Sequence, residues 1–197
     1  MPSRVAFLET AGWAAASPSA KAAMNDALAR LRGAKIEVVT RQLHAKVAAV
    51  EAVIKEARAL SMRINAWEWR WPLNTYRNRD ASKLSRALLD RLAEAEAMSL
   101  DDYRRDIAQR DKNRALYAEL AGECEACISL SAPSAAPMGL ESTGDPSCTA
   151  HASYLGIPAV SLPVLSDEGL PLGLQVAGLV NGDANAVASA AAIAGLF

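Results

Sequence analysis

Cysteine and histidine are the residue types in this sequence that most often carry metal or redox chemistry. Cys124 and Cys127 have the Cys-x-x-Cys spacing of zinc and thiol–disulfide sites. A tetrahedral zinc site needs two further ligands, and only Cys148, His44 and His151 remain to supply them. Because no second Cys-x-x-Cys exists, we predict incidental cysteines at the entrance of a strand, and neither a metal nor a cofactor.

The two histidines are weak candidates for catalysis. His44 stands where a long helical pattern begins, which is typical of a surface residue in a first turn. His151 lies just after the turn signal Gly144-Asp145-Pro146, but no acidic residue stands at a spacing that would orient its ring. We therefore do not expect either ring to act as a general base.

Arg110 is the most suggestive charged residue of the middle region. It follows Ile107 by three residues and Tyr103 by seven, and Tyr117 stands seven further on, so it lies on the apolar stripe of its helix. An arginine at such a position needs an anionic or carbonyl partner. Two readings stay open: a structural ion pair with a nearby acid, or contact with a polar group of a substrate.

Composition excludes several classes of function. Of the 197 residues, 51% are hydrophobic and 22% are charged, which is ordinary globular composition, and the formal net charge is −1. That charge is too small to hold nucleic acid or an anionic membrane. We find no run of 18 apolar residues and no evident signal peptide, and the odd number of cysteines favours reduced thiols. We therefore expect a cytoplasmic protein that binds neither nucleic acid nor membrane.

Strand patterns stand at both ends of the chain. They are Val5–Leu8, Ile36–Val39, Ala126–Ser131, Ala159–Val164 and Leu172–Ala177. Ser17-Pro18 predicts the start of a helix that Gly33 ends, and Asp183 predicts the cap of a final helix. These elements indicate an α/β fold with a mixed sheet between two layers of helices.

Residues 43–122 show only helical periodicity. Apolar residues from Leu43 to Trp71 recur every three or four positions, which predicts one long helix that ends before Pro72. Two further helical patterns follow, one around Leu84–Ala95 and one around Tyr103–Leu120. We therefore predict one domain of residues 1–197 with a helical block inserted at about 43–122.

Several segments carry a family resemblance. They are residues 4–8 (RVAFL) with Gly12-Trp13, 136–140 (APMGL), 142–146 (STGDP), 155–163 (LGIPAVSLP) and 169–175 (GLPLGLQ) with Gly178 and Asp183. Together they resemble the C-terminal half of amidase-signature enzymes, among them the glutamyl-tRNA amidotransferase A subunits. Members hydrolyse amides with a serine, a bridging serine and a lysine that lie in an N-terminal core with a Gly/Ser-rich loop. This sequence has no such loop, so we expect no catalytic residue within it.

The resemblance also implies a set of substrate-binding residues. Arg110 resembles an arginine that holds the substrate carboxylate, and Asp145 resembles an acid that binds the substrate amine. The segment that holds Cys148 and Thr149 borders the acyl pocket of the family, where many members have an aromatic residue in place of Cys148. We predict that Arg110, Asp145 and Thr149 converge on one concave surface.

Three hypotheses for function follow. The first is a C-terminal fragment or split half of an amidase that is inactive alone and acts on a small amide only in the complete enzyme. Its partner would be the missing N-terminal catalytic half, or a second copy by self-association. The second is a free-standing, non-catalytic binding or regulatory module. The third is an oligomeric interaction protein built on the long helix.

Overall fold

A computed structural model describes all 197 residues, and the order of elements is strand–helix–strand, a helical block, then strands again. The strands are β1 (Arg4–Phe7), β2 (Glu37–Val39), β3 (Ala126–Leu130), β4 (Ala159–Asp167) and β5 (Leu170–Ala177). The helices are α1 (Pro18–Gly33), α2 (Ala45–Ile54), α3 (Ala57–Asp80), α4 (Arg86–Ala97), α5 (Leu100–Ala118), α6 (Ala150–Leu155) and α7 (Asp183–Ala194). Short 3₁₀ turns span Ala11–Trp13, Ala81–Lys83, Glu119–Gly122 and Pro146–Cys148.

The five strands form one mixed sheet in the order β2-β1-β3-β5-β4. The strands β1, β2 and β3 run parallel, whereas β5 is antiparallel to both β3 and β4. Glu168 and Gly169 join β4 to β5 and both have positive φ, which matches the twist of a two-residue hairpin. The predicted α/β fold with a mixed sheet is confirmed.

Two apolar cores lie on opposite faces of the sheet. Alternate strand residues such as Val5 and Phe7 pack with α1 and α7, whereas Ala6 and Leu8 pack with the helical block and α6. The first core includes Met24 and Leu31 of α1, and the second includes Tyr117 of α5. The result is a three-layer arrangement with the sheet in the middle.

Local signals account for the helix starts. The Ser17 hydroxyl accepts a hydrogen bond from the Ala20 amide at 2.9 Å, so α1 begins where the serine and proline predict. Asp183 is the first residue of α7 and not its cap, since Gly182 holds the cap position. Its carboxylate still lies in the first turn, where a negative charge interacts favourably with the positive end of the helix dipole.

The single long helix predicted from Leu43 to Trp71 is wrong in two respects. The chain forms α2 and α3 with a break at Lys55-Glu56, and α3 continues through Pro72 to Asp80. Lys55 keeps right-handed helical backbone angles, whereas Glu56, with a ψ of 0°, departs from them and separates the two helices. Pro72 is exposed, so water can reach the carbonyl that its missing N–H leaves unbonded.

Candidate functional site

A hollow with a volume of about 830 Å³ lies at the carboxyl end of β3. Its lining comes from the segment after β3, the turn before α6 and the start of β5. Members of this lining are Ala15, Ser131–Pro137, Ser142–Pro146, Thr149 and Pro171–Gly173. Ligand sites of open α/β sheets lie at such strand ends, so this hollow is the candidate functional site.

Asp145 and Thr149 line this hollow together. Gly144 has a φ of 92°, and the Asp145 carboxylate accepts a hydrogen bond from the Ser147 amide at 2.9 Å, so the turn signal forms a tight local structure. The Thr149 hydroxyl donates to the Pro146 carbonyl at 3.2 Å. Both side chains are therefore held by their own segment at the edge of the hollow.

Asp145 also pairs with a residue that the sequence reading missed. Arg58 of α3 donates to the Asp145 carboxylate at 3.2 Å, and both side chains are about half exposed. The pair ties the helical block to the rim of the hollow. It also means that a ligand amine at Asp145 would share the carboxylate with the Arg58 guanidinium.

Cys148 lies behind the hollow and is fully buried. A side-chain atom added to Gly12 would come within 2.3 Å of the Cys148 sulfur, so only glycine allows the two segments to approach this closely. Burial raises the pKa of the Cys148 thiol to about 11, against an opposing hydrogen bond with Thr10. The thiol is protonated at neutral pH and contributes packing beneath the wall rather than a nucleophile.

Arg110 lines a different, smaller hollow with Ser153, Tyr154 and Leu155. It lies against the same Gly144–Leu155 segment as Asp145 and Thr149, but at the opposite end, so these three residues do not share one hollow. Arg110 hydrogen-bonds with the neighbouring Asp111 at 3.3 Å, as one of the two readings anticipated. Its role with substrate stays a prediction.

Arg114, one helical turn after Arg110, makes the stronger contacts. It donates to the carbonyls of Leu155 and Gly156, the latter at 2.8 Å, and to the Asn181 side chain at 3.2 Å. These carbonyls end α6, so the guanidinium caps that helix from α5. Arg114 follows Arg110 by four positions, so the two lie on the same face of the helix. That spacing was the sequence signal from which Arg114 could have been predicted.

Polar side chains run along the sheet face that leads into the hollow. The hydroxyls of Ser131 and Ser161 are 2.7 Å apart, and the Gln175 amide donates to the Ser129 hydroxyl at 3.1 Å. A side chain on Gly173 would collide with both Ser131 and Ser161. In the sequence, Gly173 and Gln175 alternate with apolar neighbours. That alternation predicted a half-buried strand, but we did not predict this row of polar side chains from it.

His151 is buried outside the lining of the hollow, and neither ring nitrogen has a hydrogen-bond partner. Burial lowers its pKa to about 4, although the nearby Cys148 backbone acts in the opposite direction. The ring is therefore neutral at physiological pH. No group of three or more His, Cys, Asp or Glu side chains is arranged to hold a metal ion.

A family model described as Amidase matches residues 1–187. The chain belongs to the amidase family. A search of curated proteins by sequence found no match. None of the helices of this amidase-family chain has both the length and the apolar character needed to cross a membrane.

Solved structures of this family share the fold. The chain is similar to a protein described as an amidase, with a TM-score of 0.80 and 21% identity over 94% of this chain and 44% of that one. It is also similar to fatty acid amide hydrolase, with a TM-score of 0.73 and 18% identity over 98% and 39% of the two chains. A bacterial aryl acylamidase of the amidase-signature family gives a TM-score of 0.65 and 13% identity over 98% and 42%. The chain therefore spans less than half the length of these amidases.

Proposed function

We propose that this chain is the C-terminal part of an amidase that hydrolyses carbon–nitrogen amide bonds, and that it supplies walls of the substrate pocket without the catalytic centre. The observation that carries the proposal is the match of residues 1–187 to the family model, in a chain that spans 39–44% of the length of the solved amidases above. The remaining part of such an enzyme would hold the Ser-Ser-Lys centre that the resemblance implies.

The chemistry of the hollow supports a binding role and not a catalytic one. Its hydroxyl groups have no histidine or lysine beside them in the lining, so no base stands ready to activate a serine. The Ser131 and Ser161 hydroxyls form a hydrogen bond with each other at 2.7 Å. What the hollow offers to a substrate is the acceptor oxygen of the Thr149 hydroxyl, whose proton goes to the Pro146 carbonyl, and the charge of Asp145 at its rim.

Exposed apolar side chains beside the hollow support a partner at this surface. Met138 and Leu140 are 95% and 100% exposed on the segment between the two parts of the lining. Side chains of this size are costly to leave in water, and a covering polypeptide would bury them. The edge strand β4 is a weaker docking site, because Pro163 and an irregular register between Leu162 and Leu165 interrupt its free edge.

The test begins with the DNA upstream of Met1. We expect an open frame that encodes a Gly/Ser-rich loop with the serine and lysine of the family, and we expect the two polypeptides together to hydrolyse an anilide substrate. The purified 197-residue chain alone should give no turnover. Turnover by the chain alone that is lost on mutation of one of its own serines would contradict the proposal.

Variants of the hollow make the test specific. In the combined protein, Asp145→Asn or Thr149→Ala should raise KM, because both side chains line the proposed pocket. Arg110→Ala is the matched comparison on the other hollow. If Arg110→Ala alone impairs turnover while the two hollow variants behave like the wild type, the pocket lies elsewhere.

A further inference from the structure

Three large side chains of α3 remain exposed along one face of the helix. Met62, Trp69 and Tyr76 have exposed fractions of 38%, 43% and 56%. They follow one another at intervals of seven residues, which is nearly two full turns, so they form a line along the helix that we call the outer stripe of α3. Apolar side chains repeated every seven residues are the pattern by which one helix packs against another.

The neighbours of α3 within the chain lie on its other faces. Trp67 stacks on Tyr103 of α5 with ring centroids 5.4 Å apart, and Ile64 is buried in the core on the helical-block face of the sheet. Arg77 pairs with Glu96 of α4 at 2.7 Å. The helices α4 and α5 therefore pack against two sides of α3 and leave a large part of the outer stripe in water.

Two opposite charges flank the outer stripe symmetrically. Arg58 lies 11 residues before Trp69, and Asp80 lies 11 residues after it, at the last position of α3. Eleven residues span close to three turns, so both positions share the face of the stripe. Met62 and Tyr76 likewise lie seven residues before and after Trp69. The face is therefore complementary to itself when it is turned end for end about Trp69.

Both charged groups keep hydrogen-bonding capacity for a second molecule. The Arg58 side chain is 56% exposed, and its guanidinium uses one nitrogen to donate to Asp145 at 3.2 Å. One oxygen of Asp80 accepts hydrogen bonds from the Ser82 amide and hydroxyl at 3.0 and 2.6 Å, which holds the carboxylate at the end of the helix. The other carboxylate oxygen and the remaining guanidinium N–H groups are available for an ion pair between molecules.

From this pattern we infer that the outer stripe is the surface by which two copies of this chain pair, with their α3 helices antiparallel and Trp69 on the two-fold axis. Met62 of one copy then packs on Tyr76 of the other, and Arg58 of one copy faces Asp80 of the other. The axis repeats each contact, so two apolar pairs and two ion pairs flank Trp69. A parallel pairing would instead bring Arg58 against Arg58 and Asp80 against Asp80, which like-charge repulsion disfavours.

The size of the surface determines how strongly the copies pair. α3 has 24 residues and is therefore about 36 Å long. One pair of such helices buries less area than a permanent interface, so the pairing is reversible and depends on protein concentration. It does not rest on the proposed function, because no residue of the outer stripe lines the hollow at β3.

Sedimentation velocity of the 197-residue chain over a range of concentrations tests the charge pattern. Arg58→Glu or Asp80→Arg replaces both ion pairs by like-charge contacts and should raise the dissociation constant about tenfold. An equimolar mixture of these two variants restores both opposite-charge contacts in the mixed dimer, so it should associate like the wild type. Arg32→Glu makes the same charge change on an exposed position of α1 and should leave the dissociation constant unchanged. Circular dichroism checks that each variant is folded.

Disulfide cross-linking tests the register of the two helices, since the native cysteines are all buried. A Met62→Cys chain mixed with a Tyr76→Cys chain under mild oxidation should give a mixed covalent dimer. Neither variant alone should cross-link, because two copies of one position lie 14 residues, or about 21 Å, apart along the helix pair. A disulfide needs Cα atoms within about 7 Å. Thr75→Cys, an exposed position on another face of α3, is the matched control for Tyr76→Cys and should not cross-link to Met62→Cys.

Several results would overturn the inference. They are a wild-type chain that is monomeric at every concentration, a dissociation constant that Arg58→Glu changes less than twofold, and cross-linking of Met62→Cys alone as fast as in the mixture with Tyr76→Cys. A monomeric chain whose Trp69 becomes protected only when an N-terminal amidase half is added would assign the outer stripe to that partner and would equally overturn the pairing of two copies.

Discussion

Gly12 offers the sharpest test of how the wall of the hollow is built. A Cβ atom at this position would stand 2.3 Å from the Cys148 sulfur, 2.8 Å from the Ser147 hydroxyl and 2.9 Å from the Cys148 amide nitrogen. The last of these is a backbone atom, so no change of rotamer relieves the overlap. Gly12→Ala must therefore push the turn after β1 away from the segment that begins α6.

The expected loss of stability follows from this overlap. Forcing one extra carbon into a packed region costs about 1–3 kcal/mol, and we expect about 2 kcal/mol here. For a chain of this size that corresponds to a fall in melting temperature of about 4–8 °C. Adding Cys148→Ala removes the sulfur but not the backbone contact, so the double variant should recover only part of the loss.

Urea unfolding followed by circular dichroism measures the effect, with Gly33→Ala as the matched control. A Cβ at Gly33, the last residue of α1, meets no atom within 4 Å, so alanine there should leave stability unchanged or raise it by up to about 1 kcal/mol. A Gly12→Ala variant whose free energy of unfolding lies within about 0.5 kcal/mol of the wild type, the range of neutral surface changes, would contradict the overlap.

Three further predictions concern titratable groups, each checked by denaturant unfolding across pH. Burial raises the pKa of Glu51 above its ordinary 4.5, so protonated Glu51 favours the folded chain and this contribution to stability is lost as the pH rises through the folded pKa. In Glu51→Gln, which cannot ionise, the free energy of unfolding should no longer fall over that pH range. Burial lowers the pKa of His151 from 6.5 to about 4, so acid protonates this side chain in the unfolded chain before it does so in the folded one. The free energy of unfolding of the wild type should therefore fall by on the order of 3 kcal/mol as the pH drops between those two values. A His151→Phe variant whose free energy of unfolding falls as steeply with pH would refute this. Hydrogen bonds from the Ser17 hydroxyl and the Ala135 amide lower the pKa of Asp167, so its stabilisation is present above the ordinary carboxyl pKa and is lost as pH falls through the folded one. Asp167→Asn should destabilise the chain most at neutral pH, and an equal effect at pH 3 would argue against a charged contact.

Local patterns in the sequence determined the elements. Short apolar or β-branched runs located the strands, with a period-two alternation in the last of them. The Ser17-Pro18 pair located the start of α1, and the helical period between residues 43 and 122 located a block without strands. These signals are readable because the backbone conformation of a short segment depends mainly on its own side chains. The same property explains the error between α2 and α3, since Ile54 and Ala57 are both buried and keep a helical spacing of three residues across the break.

The arrangement of the site was decided by the tertiary structure. Asp145 pairs with Arg58, which lies 87 positions away in the sequence, and no pattern in either segment predicts the pair. Arg110 and Thr149 were expected in one hollow, but α5 packs against the far end of α6 and so holds Arg110 apart from the hollow at β3. Whether two side chains meet depends on how distant elements pack, and that packing is a property of the whole fold, which no short window of sequence contains.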